Sequence, residues 1–259
     1  GLAFYASALI ISKLCSNAIS ITTAVYPKLL EGKQIGTIVQ NNITLLSYFA
    51  IPLATISIFF AKPAVFALNP IYVDAHVAII FMTLRTFLFT FSVPFAQFLT
   101  GIEKIDTQDN ASFKDYIRSK LFLIPSIRFI QYSVYLVSLA FVLMMVYSSS
   151  TDVELITYWA IVWLVIEIPF FIYLYILIKK NFNFKLEIKH FVKYLFSSIL
   201  TFGISYFLSL EFLEFNPSIF VFLPNLLVFV GLGIFGYLVL TYFIDEKTRK
   251  LFNTIFHEI

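Results

Sequence analysis

Hydrophobic positions in this chain run in long unbroken stretches, with none of the two-residue alternation of an amphipathic strand. A membrane-crossing helix needs about 20 mostly apolar residues. Seven stretches meet that length: about Gly1–Tyr26, Ile43–Ala61, His76–Leu99, Leu121–Tyr147, Leu155–Ile178, Val192–Leu210 and Ile219–Phe243. A membrane barrel would show ten-residue segments of alternating hydrophobicity. The pattern therefore predicts an all-α, polytopic membrane helix bundle with seven transmembrane helices.

Composition strengthens this reading. The 259 residues are 60% hydrophobic and 13% charged, where soluble domains carry about 25% charge. A soluble globule could not cover so much apolar surface. With 32 Phe, the chain is also no disordered or nucleic-acid-binding polypeptide. One cysteine, Cys15, excludes an internal disulfide or a cysteine-based metal centre. It reads as a small buried hydrophobe.

Charge in the connections sets an orientation. Four polar segments carry Lys and Arg: Pro27–Asn42, Gly101–Lys120, Lys179–Phe191 and the tail from Asp245. With Lys193 at the membrane edge they hold fourteen of the 18 cations, and the three alternate connections hold only Lys62. The positive-inside rule then places the C-terminus in the cytoplasm and the N-terminus outside. Because the chain enters the membrane at once from outside, with no charged leader, we expect it to be the C-terminal portion of a longer protein.

Two regions are expected. Residues 1–180 would form a five-helix transport bundle with a cytoplasmic amphipathic segment near 106–122. Residues 181–259 would form an accessory two-helix hairpin and an amphipathic tail. The hairpin is apolar apart from Gly203, Pro224 and the run Gly231, Gly233, Gly236, which permits close helix approach or a bend. Each amphipathic segment could lie in the anionic membrane interface or connect helices in solvent.

Charges inside spans are costly, roughly 2.5–3.5 kcal/mol each at the centre, and mark function or pairing. Lys13, Ser16, Asn17 and Ser20 share one stripe of an α-helix, which points to a wet cavity. On the third span Thr83, Thr86, Thr90 and Gln97 form a packing stripe; Arg85 lies off it, toward Ser92. Arg85 would face a cavity or pair with Glu167. Arg128 aligns with Gln131, Tyr132 and Tyr135 and could line the cavity or snorkel to the nearby interface. Glu167 is a candidate for proton or cation coupling, or for pairing with Lys13 or Arg85. The site candidates are thus Lys13, Asn17, Arg85 and Arg128 for substrate, with Glu167 as coupling or pairing group. His76, His190 and His257 are scattered, and no hydrolase, metalloprotease or P-loop motif occurs. No catalytic residue, metal or cofactor is expected.

A succession of short motifs adds a family. Val25-Tyr26-Pro27-Lys28 closes the first span; Ile51-Pro52-Leu53-Ala54 lies in the second; the outer loop ends Asn69-Pro70-Ile71-Tyr72-Val73-Asp74-Ala75; the third span runs to Gly101-Ile102-Glu103-Lys104. Over residues 1–105 this resembles the polysaccharide flippases of the multidrug/oligosaccharidyl-lipid/polysaccharide transporter superfamily. Asn69 stands near the place of that family's glycine. The resemblance implies about fourteen helices in two bundles around a central cavity, of which these would be the second seven. It implies a transporter, not an enzyme, moving a polyprenyl-pyrophosphate-linked oligosaccharide across the cell membrane for polysaccharide biosynthesis. Its partners would be that lipid-linked sugar, membrane lipids, glycan-assembly enzymes and the missing N-terminal half, and no nucleic acid. A multidrug or cation exporter of the same superfamily would favour an acidic cavity. A membrane glycosyltransferase would need paired acids at a membrane face, where only Asp74 stands. A seven-span receptor fits the span count alone.

Overall fold

A computed structural model describes residues 2–20, 35–103, 112–182 and 187–258, with side chains placed as far as Asn253. Among the described residues all regular structure is helical: α1 (Leu2–Ser12), a 3-10 segment (Lys13–Ile19), α2 (Ile35–Phe59), α3 (Ala61–Leu68), a 3-10 turn (Pro70–Ala75), α4 (His76–Gly101), α5 (Phe113–Arg118), α6 (Lys120–Val146), α7 (Asp152–Phe182), α8 (Ile188–Phe212), α9 (Ile219–Ile244) and α10 (Glu246–Glu258). Seven of these helical segments are long and apolar enough to cross a membrane. They overlap the seven expected stretches, with the largest difference at the start of the second. The second starts at Ile35, about two turns before Ile43. The first is described only as far as Ser20, so Tyr26-Pro27 and the connection to Gln34 lie outside the described residues, as do Lys104 and residues 105–111 of the expected amphipathic segment.

α2 is the central helix, with 67% of its apolar window buried, whereas α6 and α9 bury 17% and present their sides outward. Apolar side chains gain little by leaving lipid, so small residues that allow close backbone approach decide the packing. α2 supplies Ser47, Ala50, Ala54 and Ser57, all buried. Ser57 donates to the Ile11 carbonyl at 3.1 Å and the Cys15 thiol sits 3.5 Å from the Ala50 carbonyl. The expected burial of Cys15 holds, at 0% exposure. Three apolar clusters follow: one joins the 3-10 segment to α2, α4 and α7, one joins α2 to α8 and α9, and one caps α1, α3 and α4.

The 3-10 winding corrects the Lys13 stripe. At three residues per turn, Ser12, Cys15 and Ala18 share one edge, and all three are buried. Lys13 and Asn17 fall on different edges and are exposed. The hydroxyls of Ser12, Ser16 and Ser20 donate to carbonyls three residues back, at 3.0, 2.7 and 2.8 Å. Such local bonds favour the tighter turn.

The α8–α9 hairpin packs against α2. A Cβ on Gly233 would come within 2.4 Å of the Phe202 ring, whereas one on Gly231 would meet nothing. The glycine run therefore makes a close approach, with Gly233 as its contact point. Ser112 opens α5 with a reciprocal capping box to Asp115, and Ser119 separates this short helix from α6.

Candidate functional site: a buried two-arginine, one-carboxylate cluster

Three helices meet around Glu167, whose side chain is fully buried. α7 carries Trp159, Trp163 and Glu167 at successive turns. α6 carries Arg128, Gln131 and Tyr135 on its inward face, while Tyr132 is exposed. α4 contributes Arg85, Phe89 and Ser92.

Both carboxylate oxygens are occupied. Oε1 lies 3.3 Å from Nη1 of Arg128 and accepts from Ser92 Oγ at 3.4 Å. Oε2 lies 3.4 Å from Nη2 of Arg85 and accepts from Gln131 Nε2 at 3.0 Å. Arg128 also donates to Gln131 Oε1 at 2.8 Å, so that one amide bridges the arginine and the carboxylate.

Aromatic rings cover the guanidinium faces. Arg85 lies 3.9 Å from the Trp163 ring centre and 4.6 Å from that of Phe89. Arg128 lies 3.9 Å from Phe170 and 5.3 Å from Phe89. Desolvated cation–π contacts of this kind contribute up to about 2 kcal/mol each. The charge count is uneven: two guanidinium cations share one carboxylate. Arg85 is only 8% exposed, and its Nε has no hydrogen-bond partner.

Of the two pairings weighed for Glu167, that with Arg85 forms and that with Lys13 does not. Arg128 turns inward rather than to the interface, because Gln131 and Glu167 offer it acceptors. Arg85 does lie with Ser92, while Thr83, Thr86 and Thr90 are buried in helix packing, Thr90 3.8 Å from Cys15. Lys13 and Asn17 are not brought to this cluster, and among the described residues Lys13 makes no ion pair. Sequence reasoning missed the ring cage, although Phe89 follows Arg85 by four residues, Trp163 precedes Glu167 by four and Phe170 follows it by three.

A second polar cluster closes the Lys- and Arg-rich end. Asp245 joins α9 to α10 and accepts from His190 at 2.6 Å, Tyr194 at 2.9 Å, Lys193 at 3.1 Å and the Thr248 backbone at 3.1 Å. Glu187 accepts from Gln40 at 2.8 Å and Thr44 at 3.3 Å, and pairs with Lys247. Burial pushes the Asp245 carboxyl up, but the Thr248 N–H, Lys193, Tyr194 and His190 outweigh it and hold the group down to about 2. Burial likewise opposes, and Lys247, Gln40 and His190 overcome, to hold Glu187 below its ordinary value. The first turn of the tail helix is thereby tied, through Lys247 and Thr248, to Glu187 and Asp245.

No protein-family model, curated protein or solved structure matches this chain.

Proposed function

We propose that this chain is a lobe of a membrane transporter that moves an anionic lipid-linked oligosaccharide, carried on a polyprenyl pyrophosphate, across the cytoplasmic membrane. The observation that carries the reading is the Arg85–Glu167–Arg128 cluster. It is buried deep in an apolar bundle and has one more cation than anion. A surplus guanidinium in low dielectric is costly alone and strongly attractive to an oxyanion. Guanidinium forks also match phosphate oxygens bidentately.

A cation exporter fits less well, because its binding carboxylate would already be held by two arginines. On the orientation expected from the fourteen cations, the Asp245 cluster would lie on the cytoplasmic side, and the substrate would leave toward the opposite end. Lys13 and Asn17, exposed on the 3-10 segment, would be further polar contacts for the substrate outside the cluster.

The test is export in cells. In a strain that depends on this protein, the fraction of lipid-linked oligosaccharide reaching the outer leaflet is measured for Arg128→Ala, Arg128→Lys and Arg85→Ala, each normalised to protein abundance. Arg128→Ala should lower export by roughly tenfold or more, the equivalent of one charge-assisted contact. Arg128→Lys should retain part of it. Unchanged export by both alanine variants at normal abundance would reject the reading.

A further inference from the structure

A cavity of about 270 Å³ opens between α1, α6 and α7 at the end of the bundle opposite the Asp245 cluster. Its walls include Tyr5, Leu143, Tyr147, Asp152 and Trp159. Tyr5 and Trp159 stack with ring centres 4.3 Å apart and planes 13° from parallel. Trp159 Nε1 donates to the Tyr135 hydroxyl. Tyr135 then stacks on Trp163 at 5.6 Å, and Trp163 lies under Arg85. Aromatic surface is therefore continuous from the cavity to the buried arginines.

Trp and Tyr also gather where helices leave a membrane, and such rings turn toward headgroups. This row does not. Tyr135 is 9% exposed, and its hydroxyl and ring link the Tyr5–Trp159 stack to Trp163, whereas Tyr158, beside Trp159 in sequence, is 38% exposed. A belt accounts for Tyr158 and leaves the row unexplained.

We propose that the cavity is a sugar subsite of the transport path, with Tyr5 and Trp159 as its binding platform. A pyranose ring has an apolar C–H face and a rim of hydroxyls. Tyr and Trp offer the matching combination, a broad apolar face and a polar tip. A pocket with mostly apolar walls and a few polar groups is also the usual form of a small-ligand site. Here the Asp152 carboxylate and the Tyr147 hydroxyl are the polar groups of the lining. Trp159 and Glu167 are eight residues apart on α7, about 12 Å along the helix. One elongated ligand would be long enough to span both, its sugar on Trp159 and its pyrophosphate at the arginines. The assignment rests on the transporter reading, and the two are separable by experiment.

The chain has two tryptophans, and both lie on this path. In the Trp163→Phe protein the emission reports Trp159 alone; in Trp159→Phe it reports Trp163 alone. The full chain, purified into nanodiscs of neutral lipid, is titrated with a panel of neutral and acidic trisaccharides and, separately, with inorganic pyrophosphate. Trp159 emission should respond saturably to at least one sugar, and Trp163 emission to pyrophosphate. Tyr5→Ala should weaken sugar binding by roughly tenfold, while Tyr5→Phe, which keeps the stack, should leave it within about twofold. No saturable sugar response, or one unchanged in Tyr5→Ala, overturns the subsite. Sugar binding without a pyrophosphate response supports the subsite and counts against the anion site; the reverse result rejects the subsite alone.

Discussion

The Glu167 cluster and the Asp245 cluster use the same groups to different ends. Each holds a fully buried carboxylate among cations. Around Asp245 the cations are matched by a second acid, Glu187, and the carboxylate also caps α10 through the Thr248 N–H. It ties together α8, α9 and α10, and Glu187 extends the tie to α2. Around Glu167 there is no second acid among the described residues, aromatic faces cover the guanidiniums, and Arg85 Nε is left over. Balanced charge and a backbone cap make a clamp. Surplus charge with an unused donor is the feature that the proposed transport reading assigns to an anionic ligand. Carboxylate burial is complete in both, so burial does not distinguish the two clusters; their charge stoichiometry does.

The largest expected effect comes from Glu167→Gln. It leaves two guanidiniums facing each other without a counter-ion in a low-dielectric core. Removing one partner of a buried ion cluster costs about 3–5 kcal/mol. Thermal unfolding in detergent should show that loss, together with low abundance in membranes. The sharper variant replaces the whole cluster with apolar residues, Arg85→Met, Arg128→Leu and Glu167→Leu together. Such replacements are often neutral for stability. The triple variant should therefore regain most of the stability that Glu167→Gln loses while exporting nothing. If it also exports normally, the cluster is a clamp like the one at Asp245, and the comparison collapses.

Asp245→Asn ranks second. It removes the charge that Lys193 and His190 face, and weakens the cap of α10. The expected cost is about 1–3 kcal/mol. The pH dependence has a definite sign. Both acids are held below their ordinary values, so their contribution is complete above an unfolded carboxylate value of about 4. It is lost as the pH falls from there toward the folded value of about 2 for Asp245. A spin label at the surface of α10 should report release of the tail over that window in the native protein. Asp245→Asn should show a smaller change. Release at pH 6 in the native protein would overturn the clamp.

Much of the fold was legible because uninterrupted apolar runs specify spans without any knowledge of partners. The start of α2 was not, because Gln40, Asn41 and Asn42 read as a loop; Gln40 is helical and bound to Glu187, across 147 residues. The Arg85–Glu167 pair was visible as an option, since Glu167 is the one acid deep in a span. The inward turn of Arg128 was not, because its depth also permits snorkelling and only Gln131 and Glu167 decide between them. Lys13 misled because a 3.6-residue period was assumed where hydroxyls bonding three residues back wind the chain more tightly. Glu187 and the residues of α8 that meet Lys247 and Asp245 lie 51 to 60 positions before them, and apart from the Asp245–Thr248 cap nothing local in the sequence signals the clamp.

The smallest effects come from a matched pair of amides. Gln131 bridges Arg128 and Glu167 in the site, and Gln40 donates to Glu187 in the clamp. Each bonds an ion, but their surroundings differ: Gln131 is 7% exposed, whereas Gln40 is half-buried at the edge of the bundle, where water can replace it. Gln131→Leu should cost about 1–3 kcal/mol, because Arg128 and Glu167 each lose a bond that no water restores. Gln40→Leu should cost about 1 kcal/mol or less. Export sharpens the contrast. Without its bridge Arg128 is free to change rotamer, so Gln131→Leu should lower export several-fold even at a temperature where both variants are fully folded. Gln40→Leu should export as the native protein does. Equal export by the two, at equal abundance, would show that the geometry of Arg128 is immaterial to transport and would remove the distinction between the clusters.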